Sequence, residues 1–457
     1  MPRIRRRTFL QNTGKTTGGL ALGSAVLTAS QYKRAYGANE RIVLGAIGIG
    51  GRNTSLLLWF LHYAEVDVKS LCDVNQNRDK YHQMAAFIEN ARDKKPEMTP
   101  DMHAVFNDHD IDAVTVATPD HWHGPATVFA CQAGKDVYVE KPISHNIWEG
   151  RKMVEATRKY KRVVQCGTQN RSADYNYKAL EAIQNGKLGD VLFVKVYNMK
   201  PGGPFHKGPN KPVPAGFNYD AWLGPAPMRP YNPSVVGHWK LFWDFTADDL
   251  ADDGAHQLDL ARMLIGKGHP TAVHSSGNKL AFQDDRETPD TLATTYEYGE
   301  DLYMTFELTQ WSPYMQKTPG AIRQGDRFPL WFQSSTRIEI YGTKAMMLMG
   351  RHGGGWQIFS GDGKVIEQAY GRFPDYLIPD PHKQNFLDCI RNRKKPNADI
   401  AIGHYSACLI HLASIAHRVG NEKLRFDPQK EEFIDHAAAN ALVKREYRPP
   451  YAIPEEV

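Results

Sequence analysis

Two short runs of this chain hold side chains that can move a proton and steady a charge. In Glu140-Lys141-Pro142 a lysine closes the apolar run Asp136 to Val139. An ammonium at the end of such a run can hydrogen-bond an oxygen and stabilise negative charge developing on it. Pro142 has no amide donor and a fixed φ, so it restrains the backbone beside the lysine. In Asp252-Asp253-Gly254-Ala255-His256 a carboxylate and an imidazole stand four residues apart. On a helix, or in its first turn, that spacing puts both on one face. An imidazole titrates near neutral pH, and a neighbouring carboxylate orients it and raises its basicity. Lys141, His256 and Asp252 are therefore the catalytic candidates, with His256 as general base.

The elements that must position them alternate. Arg41 to Ile47 is an apolar strand that ends in Gly48-Ile49-Gly50-Gly51-Arg52-Asn53. Gly48 suits a tight turn and Gly50 a close backbone approach to a pyrophosphate, as in G-x-G-x-x-G. Asn53 stands where a third Gly or Ala is usual, which breaks that pattern where helix and strand must pack closely. A helix from Ser55 to Phe60 would face its amino end to the phosphates. A second strand, Val66 to Leu71, leads into Cys72-Asp73. A carboxylate there accepts from the adenosine ribose 2′-hydroxyl and repels a 2′-phosphate, so NAD is expected over NADP. Further strands at 113–117, 136–139 and 162–166 alternate with helices at 78–94, 125–133 and 147–160. They predict a doubly wound parallel sheet of Rossmann type over 39–170. His121 and His123 stand next to Asp120, but no further clustered ligand completes a site, so no metal is expected there.

After Arg171 the pattern changes. Segments around 191–197, 292–298, 302–308 and 338–340 alternate with period two, which predicts an α+β region at 171–457 with a largely antiparallel open sheet. The run Pro201 to Phe245 is proline-rich and aromatic, and too long to be mere connection. It is expected to be a site wall or a subunit contact, with Trp239 or Trp243 able to stack on a sugar.

At 457 residues, 41% hydrophobic and 23% charged, the chain reads as a globular protein of about two domains. Its net charge of +5 is concentrated in the first 38 residues, which hold seven basic side chains and no acidic one. Without those seven of the 56 basic side chains, the 51 acidic ones prevail and the net charge is −2, giving no electrostatic case for nucleic acid. The segment 1–38 carries Arg6-Arg7-Thr8-Phe9-Leu10, similar to a twin-arginine export motif, and then an uncharged stretch too weakly apolar for a stable membrane span. Export to the periplasm by that route is the expectation. The five widely spaced cysteines, Cys72, Cys131, Cys166, Cys389 and Cys408, form no disulfide framework.

Together these motifs resemble the Gfo/Idh/MocA family of oxidoreductases, which includes glucose–fructose oxidoreductase and inositol dehydrogenase. The resemblance is carried by Gly48-Ile49-Gly50-Gly51-Arg52, Asp73, Thr118-Pro119 with His123, Glu140-Lys141-Pro142, and Asp252 to Asp259. It implies a nicotinamide cofactor held by those residues of the first region, with Gln169 beside them. It implies Lys141, Asp252 and His256 as the catalytic set, and a site against the second sheet, where Arg171 and Trp239 are the further substrate candidates. The closing helix is expected at 403–420. The activity implied is hydride transfer at a CH–OH group of a sugar, glycoside or cyclitol. The alternatives are redox-neutral cleavage of a glycoside by transient oxidation and a non-catalytic sugar-binding protein. If the chain is exported folded, the nucleotide should travel with it and be tightly bound. A homo-oligomer is expected.

Overall fold

The computed structural model describes residues 41–457 apart from Asp326; the expected export segment at 1–38 lies outside the described residues. The chain begins with β1 (Ile42–Ile47), α1 (Gly51–Phe60), β2 (Val66–Cys72), α2 (Asp79–Arg92) and β3 (Glu97–Thr99). It continues through β4 (Ala113–Val116), α3 (His123–Gln132), β5 (Asp136–Val139), α4 (Ile147–Lys159) and β6 (Val164–Cys166). Every strand pair is parallel, in the order β3-β2-β1-β4-β5-β6. All residues of β4 and β5 are buried, as expected of strands covered on both faces by crossover helices. The order reverses between β1 and β4, and such a reversal opens a crevice at the carboxyl ends of the strands.

Local chemistry fixes the ends of these elements. The Asn146 side chain accepts from the Glu149 amide at 2.9 Å and caps α4. Helix α1 starts at Gly51, four residues before the sequence pattern suggests. Gly50 at its N-cap supplies no side chain, and no acidic residue sits in the first turn, so the apolar periodicity begins later than the helix. Asn53 is fully buried: its Nδ2 donates to the Ile47 carbonyl at 3.1 Å and its Oδ1 accepts from Thr115 Oγ1 at 2.8 Å. These bonds replace the close packing of a small residue with a satisfied polar contact.

The second sheet has ten strands in the order β14-β13-β12-β11-β7-β10-β9-β8-β15-β16. β7 (Val191–Met199) runs parallel to β10 (Leu302–Thr309), and the other pairs are antiparallel. In β9 (Thr291–Tyr298) the residues Leu292, Thr294, Tyr296 and Tyr298 are buried and the intervening ones are not. Strands β8 (Ala272–Asn278), β11 (Arg337–Gly342), β12 (Ala345–Gly350), β13 (Trp356–Ser360), β14 (Val365–Ala369), β15 (Lys423–Asp427) and β16 (Glu432–Phe433) complete it. Its covered face packs on α5 (Gly254–Ile265), through Leu258, Ala261 and Leu264, and on the closing helix, through Leu409, Leu412 and Ala413. Each such leucine contributes about 1.5–3 kcal/mol by leaving water.

The chain returns to the first sheet near its end. Helix α6 (Pro381–Asn392) is capped by Asp380, which accepts from the His382 amide at 2.8 Å, and it places Phe386 and Leu387 in the core around β1 and β2. The closing helix α7 (Ile400–Arg418) is long and apolar enough to cross a membrane by length and composition, but 78% of its apolar window is buried inside the protein. The run Pro201–Phe245 forms an aromatic cluster of its own, with Phe205, Phe217, Tyr219, Trp222, Phe242 and Phe245 buried together.

Candidate active site

A cavity of about 820 Å³ lies between the carboxyl ends of the parallel strands, α5 and the 201–245 run. The glycine turn after β1 forms one end. Gly48 has φ 78°, and a side chain there would come within 2.9 Å of Thr118; only glycine fits. With Gly50 as a bare N-cap, the first-turn amides of α1 face the cavity free of side-chain caps, an arrangement suited to a phosphate. Asp73, at the end of β2, accepts from the Ile49 amide and the Asn75 amide, each at 2.8 Å. Its carboxylate lies 3.4 Å from Arg78 Nε. These residues fit a dinucleotide, the pyrophosphate at the amide nest and a ribose at Asp73.

The strand-end turns of β4 and β5 form the middle. The His123 ring spans them, Nδ1 lying 2.6 Å from the Pro142 carbonyl and Nε2 3.0 Å from that of Thr118. Glu140 accepts from Arg52 Nε at 2.6 Å, and a Cβ on Gly167 would press within 2.8 Å of the same carboxylate. Thr118, Pro119, Glu140 and Gln169 all line the cavity. His121 is elsewhere engaged, its Nε2 3.0 Å from the Trp222 carbonyl.

Lys141 and His256 both stand on the cavity wall, close enough for the lysine's charge to act on the imidazole. The Lys141 ammonium lies 2.6 Å from Asp252 Oδ1, and Lys240 lies 2.5 Å from Oδ2 of the same carboxylate. Burial alone would raise Asp252, but Lys141 and Lys240 hold it well below the usual carboxylate range. The expectation that Asp252 orients His256 is corrected here. A short helix ends at Ala251 and α5 starts at Gly254, so Asp252 falls between helices and the four-residue spacing confers no shared face. No hydrogen bond joins it to His256 among the described residues. His256 Nδ1 is instead buried without a partner. Burial first, then Arg351 and Lys141, push the His256 imidazole well below its usual pKa, so the ring is neutral with a lone pair free, and its basicity is lowered rather than raised.

Arg171 is also corrected. It lies outside the cavity lining, and its Nε donates to both oxygens of Asp259, at 2.8 and 3.0 Å, with both side chains buried. It holds α5 rather than a substrate. Trp239 does line the cavity, beside Lys240, Trp222 and Val236 of the 201–245 run. Trp243 does not; its Nε1 donates to the Glu287 carbonyl at 3.0 Å.

Several wall residues escape a reading of the sequence. Arg351 and His352 follow β12, and Asp375 and Tyr376 sit in the approach to α6. The one local signal is Gly353-Gly354-Gly355, whose φ angles of 80°, 80° and 72° mark a special turn beside Arg351. Asp120 is buried on the wall, accepts from Thr246 Oγ1 at 2.5 Å, and is pushed up to about 6 by burial, with His123 and Lys141 opposing. A pH profile should separate it from His256. With His256 neutral well below pH 6.5, kcat/KM of the free enzyme should fall on the acid side through a group near 6, and Asp120→Asn should remove that limb. A limb surviving in Asp120→Asn would assign the titration to His256.

Comparison with known proteins agrees with this architecture. The family described as "Oxidoreductase family, NAD-binding Rossmann fold" matches residues 42–168. Its companion, "Oxidoreductase family, C-terminal alpha/beta domain", matches 202–325 and 315–453. A Glycosyl hydrolase family 109 protein of Saccharopolyspora erythraea is 30% identical over 41% of this chain and 44% of its own length, so the match spans less than half of that relative. The scyllo-inositol 2-dehydrogenase (NAD(+)) of Bacillus subtilis is 24% identical over 65% of this chain and 72% of its own. In fold, the chain is similar to the WlbA dehydrogenase of Bordetella pertussis, solved with NADH and UDP-GlcNAcA, at TM-score 0.60 and 18% identity, covering 85% of this chain and 99% of that one. With both of its halves matched in order, and with the glycine turn and strand-end lysine where the fold places them, this chain belongs to the Gfo/Idh/MocA oxidoreductase family.

Proposed function

We propose that this protein transfers a hydride between NAD and a carbinol carbon of a sugar, glycoside or cyclitol. The observation that carries the reading is that Lys141 and His256 line the same cavity as the glycine turn. When bound, the nicotinamide supplies the hydride acceptor or donor. His256 takes the hydroxyl proton as the C–H bond breaks and the C=O bond forms. Lys141 donates a hydrogen bond to the same oxygen and offsets its developing charge. Asp252, shared between Lys141 and Lys240, positions the Lys141 ammonium. Trp239 offers a face for a sugar ring.

Asp73 favours NAD, because its carboxylate repels a 2′-phosphate. Arg78 and Lys80 line the same mouth, so a chain that binds NADP more tightly would show that these cations outweigh Asp73. Export by the twin-arginine route is part of the proposal, and with it a nucleotide that stays bound through gel filtration.

A second reading is favoured by the similarity to glycosyl hydrolase family 109 proteins, among them the Alpha-N-acetylgalactosaminidase of Shewanella oneidensis, 27% identical over 42% of this chain. The same residues would oxidise a ring carbon transiently, after which the acidified neighbouring C–H permits loss of the aglycone. Incubation with a panel of glycosides and NAD tests the two. The first reading predicts reduced nucleotide in step with oxidised sugar. Released aglycone with no net reduced nucleotide would select the second.

A further inference from the structure

A second cluster of reactive side chains lies outside the cavity. His269 precedes β8, His404 and Cys408 stand one turn apart on α7, and Glu431 occupies the turn between β15 and β16. None of the four lines the cavity. Their donor atoms all lie within 4.8 Å of one another. His269 Nε2 is 3.1 Å and His404 Nε2 is 2.9 Å from the same oxygen, Glu431 Oε1. Cys408 Sγ is 3.8 Å from His404 Nε2. Around a tetrahedral zinc, with bonds of about 2.0–2.3 Å, neighbouring donor atoms stand roughly 3.2–3.8 Å apart. The three measured separations fall close to that range, so little movement is needed to admit an ion.

The surroundings fit as well. All four residues are at most 9% exposed, too buried for an exposed acidic patch. One thiolate and one carboxylate would balance a divalent charge, which a buried ion requires. Arg151 Nη2 lies 2.6 Å from Glu431 Oε2, leaving Oε1 for the ion and fixing the carboxylate as an outer partner should. His269 Nδ1 is buried without a partner, so it can carry the ring proton when Nε2 becomes a ligand. Gly150 on α4 leaves room for His404, since a Cβ there would come within 2.3 Å of its Nδ1. The buried thiol contacts the His404 ring, its Sγ 3.6 Å from Nδ1, so thiol, imidazoles and carboxylate already converge.

We propose that His269 Nε2, His404 Nε2, Cys408 Sγ and Glu431 Oε1 bind one Zn²⁺, which ties the β15–β16 hairpin and the approach to β8 to α7. Each donor is of a type that binds zinc, and four protein ligands close the shell as in a structural rather than a catalytic site. Binding releases the Cys408 thiol proton to solvent, both imidazoles stay neutral with their protons on Nδ1, and no oxidation state changes. The site holds whatever the catalytic cavity does, because none of its residues is shared with it.

The test uses the full chain without a histidine tag. Elemental analysis after gel filtration should find near-stoichiometric zinc, and a strong chelator should remove it and lower the thermal midpoint by several degrees. Cobalt(II) added to the stripped protein should give the intense visible bands of a tetrahedral site and a near-ultraviolet thiolate band. Cys408→Ser should lose the thiolate band, and Glu431→Gln should weaken cobalt binding at least about tenfold. If the variants fail to fold, the wild-type cobalt spectrum and chelator shift decide alone. Stripped wild-type protein that shows no tetrahedral cobalt spectrum, or whose midpoint ignores the chelator, would overturn the proposal.

Discussion

Lys141→Ala should lower kcat/KM by about 10²–10³, the loss typical of removing one hydrogen-bond donor from a developing oxyanion. Lys141 is the strand-end cation on the cavity wall, and its partner Asp252 is shared with Lys240. Truncation removes the donor but leaves Asp252 paired, so folding and nucleotide binding should be almost unchanged. The loss should fall on kcat as much as on kcat/KM, because the contact strengthens as charge develops. Asp252→Asn should do less damage, releasing the ammonium without removing it. A Lys141→Ala enzyme with a raised KM and an intact kcat would make the lysine a binding group only.

Arg171→Ala should destabilise the fold by about 3–5 kcal/mol, the usual cost of stranding one member of a buried ion pair. Asp259 is fully buried, and besides Arg171 it accepts from Ser406 Oγ at 2.6 Å. Without the guanidinium, a charged or newly protonated carboxyl is left between α5 and α7. The urea midpoint should drop sharply, whereas KM for substrate, measured at a temperature where the variant is folded, should not move. A raised KM with unchanged stability would return Arg171 to the substrate.

How much of this was legible in the sequence follows from how local each feature is. The glycine turn, Asp73 at the end of β2 and Lys141 before Pro142 depend on residues within a few positions of themselves, and all three lie on the cavity as expected. Asn53 broke the motif on paper, yet its amide finds the Ile47 carbonyl and Thr115, a solution that only the neighbouring strand reveals. The Asp252–His256 pairing failed because it needed both residues on one helix or in its first turn, whereas the chain breaks at 252–253. Lys240, Arg351 and Asp375 come from three distant segments. Their convergence is set by packing of the 201–245 run and by the return of α6 to the first sheet, which no spacing encodes. Arg171 and Asp259 likewise could not be recognised as partners, being 88 residues apart.

On the proposed reaction, a carbon-bound hydrogen of a sugar should leave as hydride within this cavity. This is tested most directly with a substrate deuterated at the carbinol carbon, followed by mass analysis of the nucleotide in the protein after a single turnover. Deuterium should appear at the nicotinamide ring in wild-type protein, with transfer at least about a hundredfold slower in Lys141→Ala. Product formed with the deuterium left on the sugar, or lost to solvent without ever reaching the nucleotide, would contradict it.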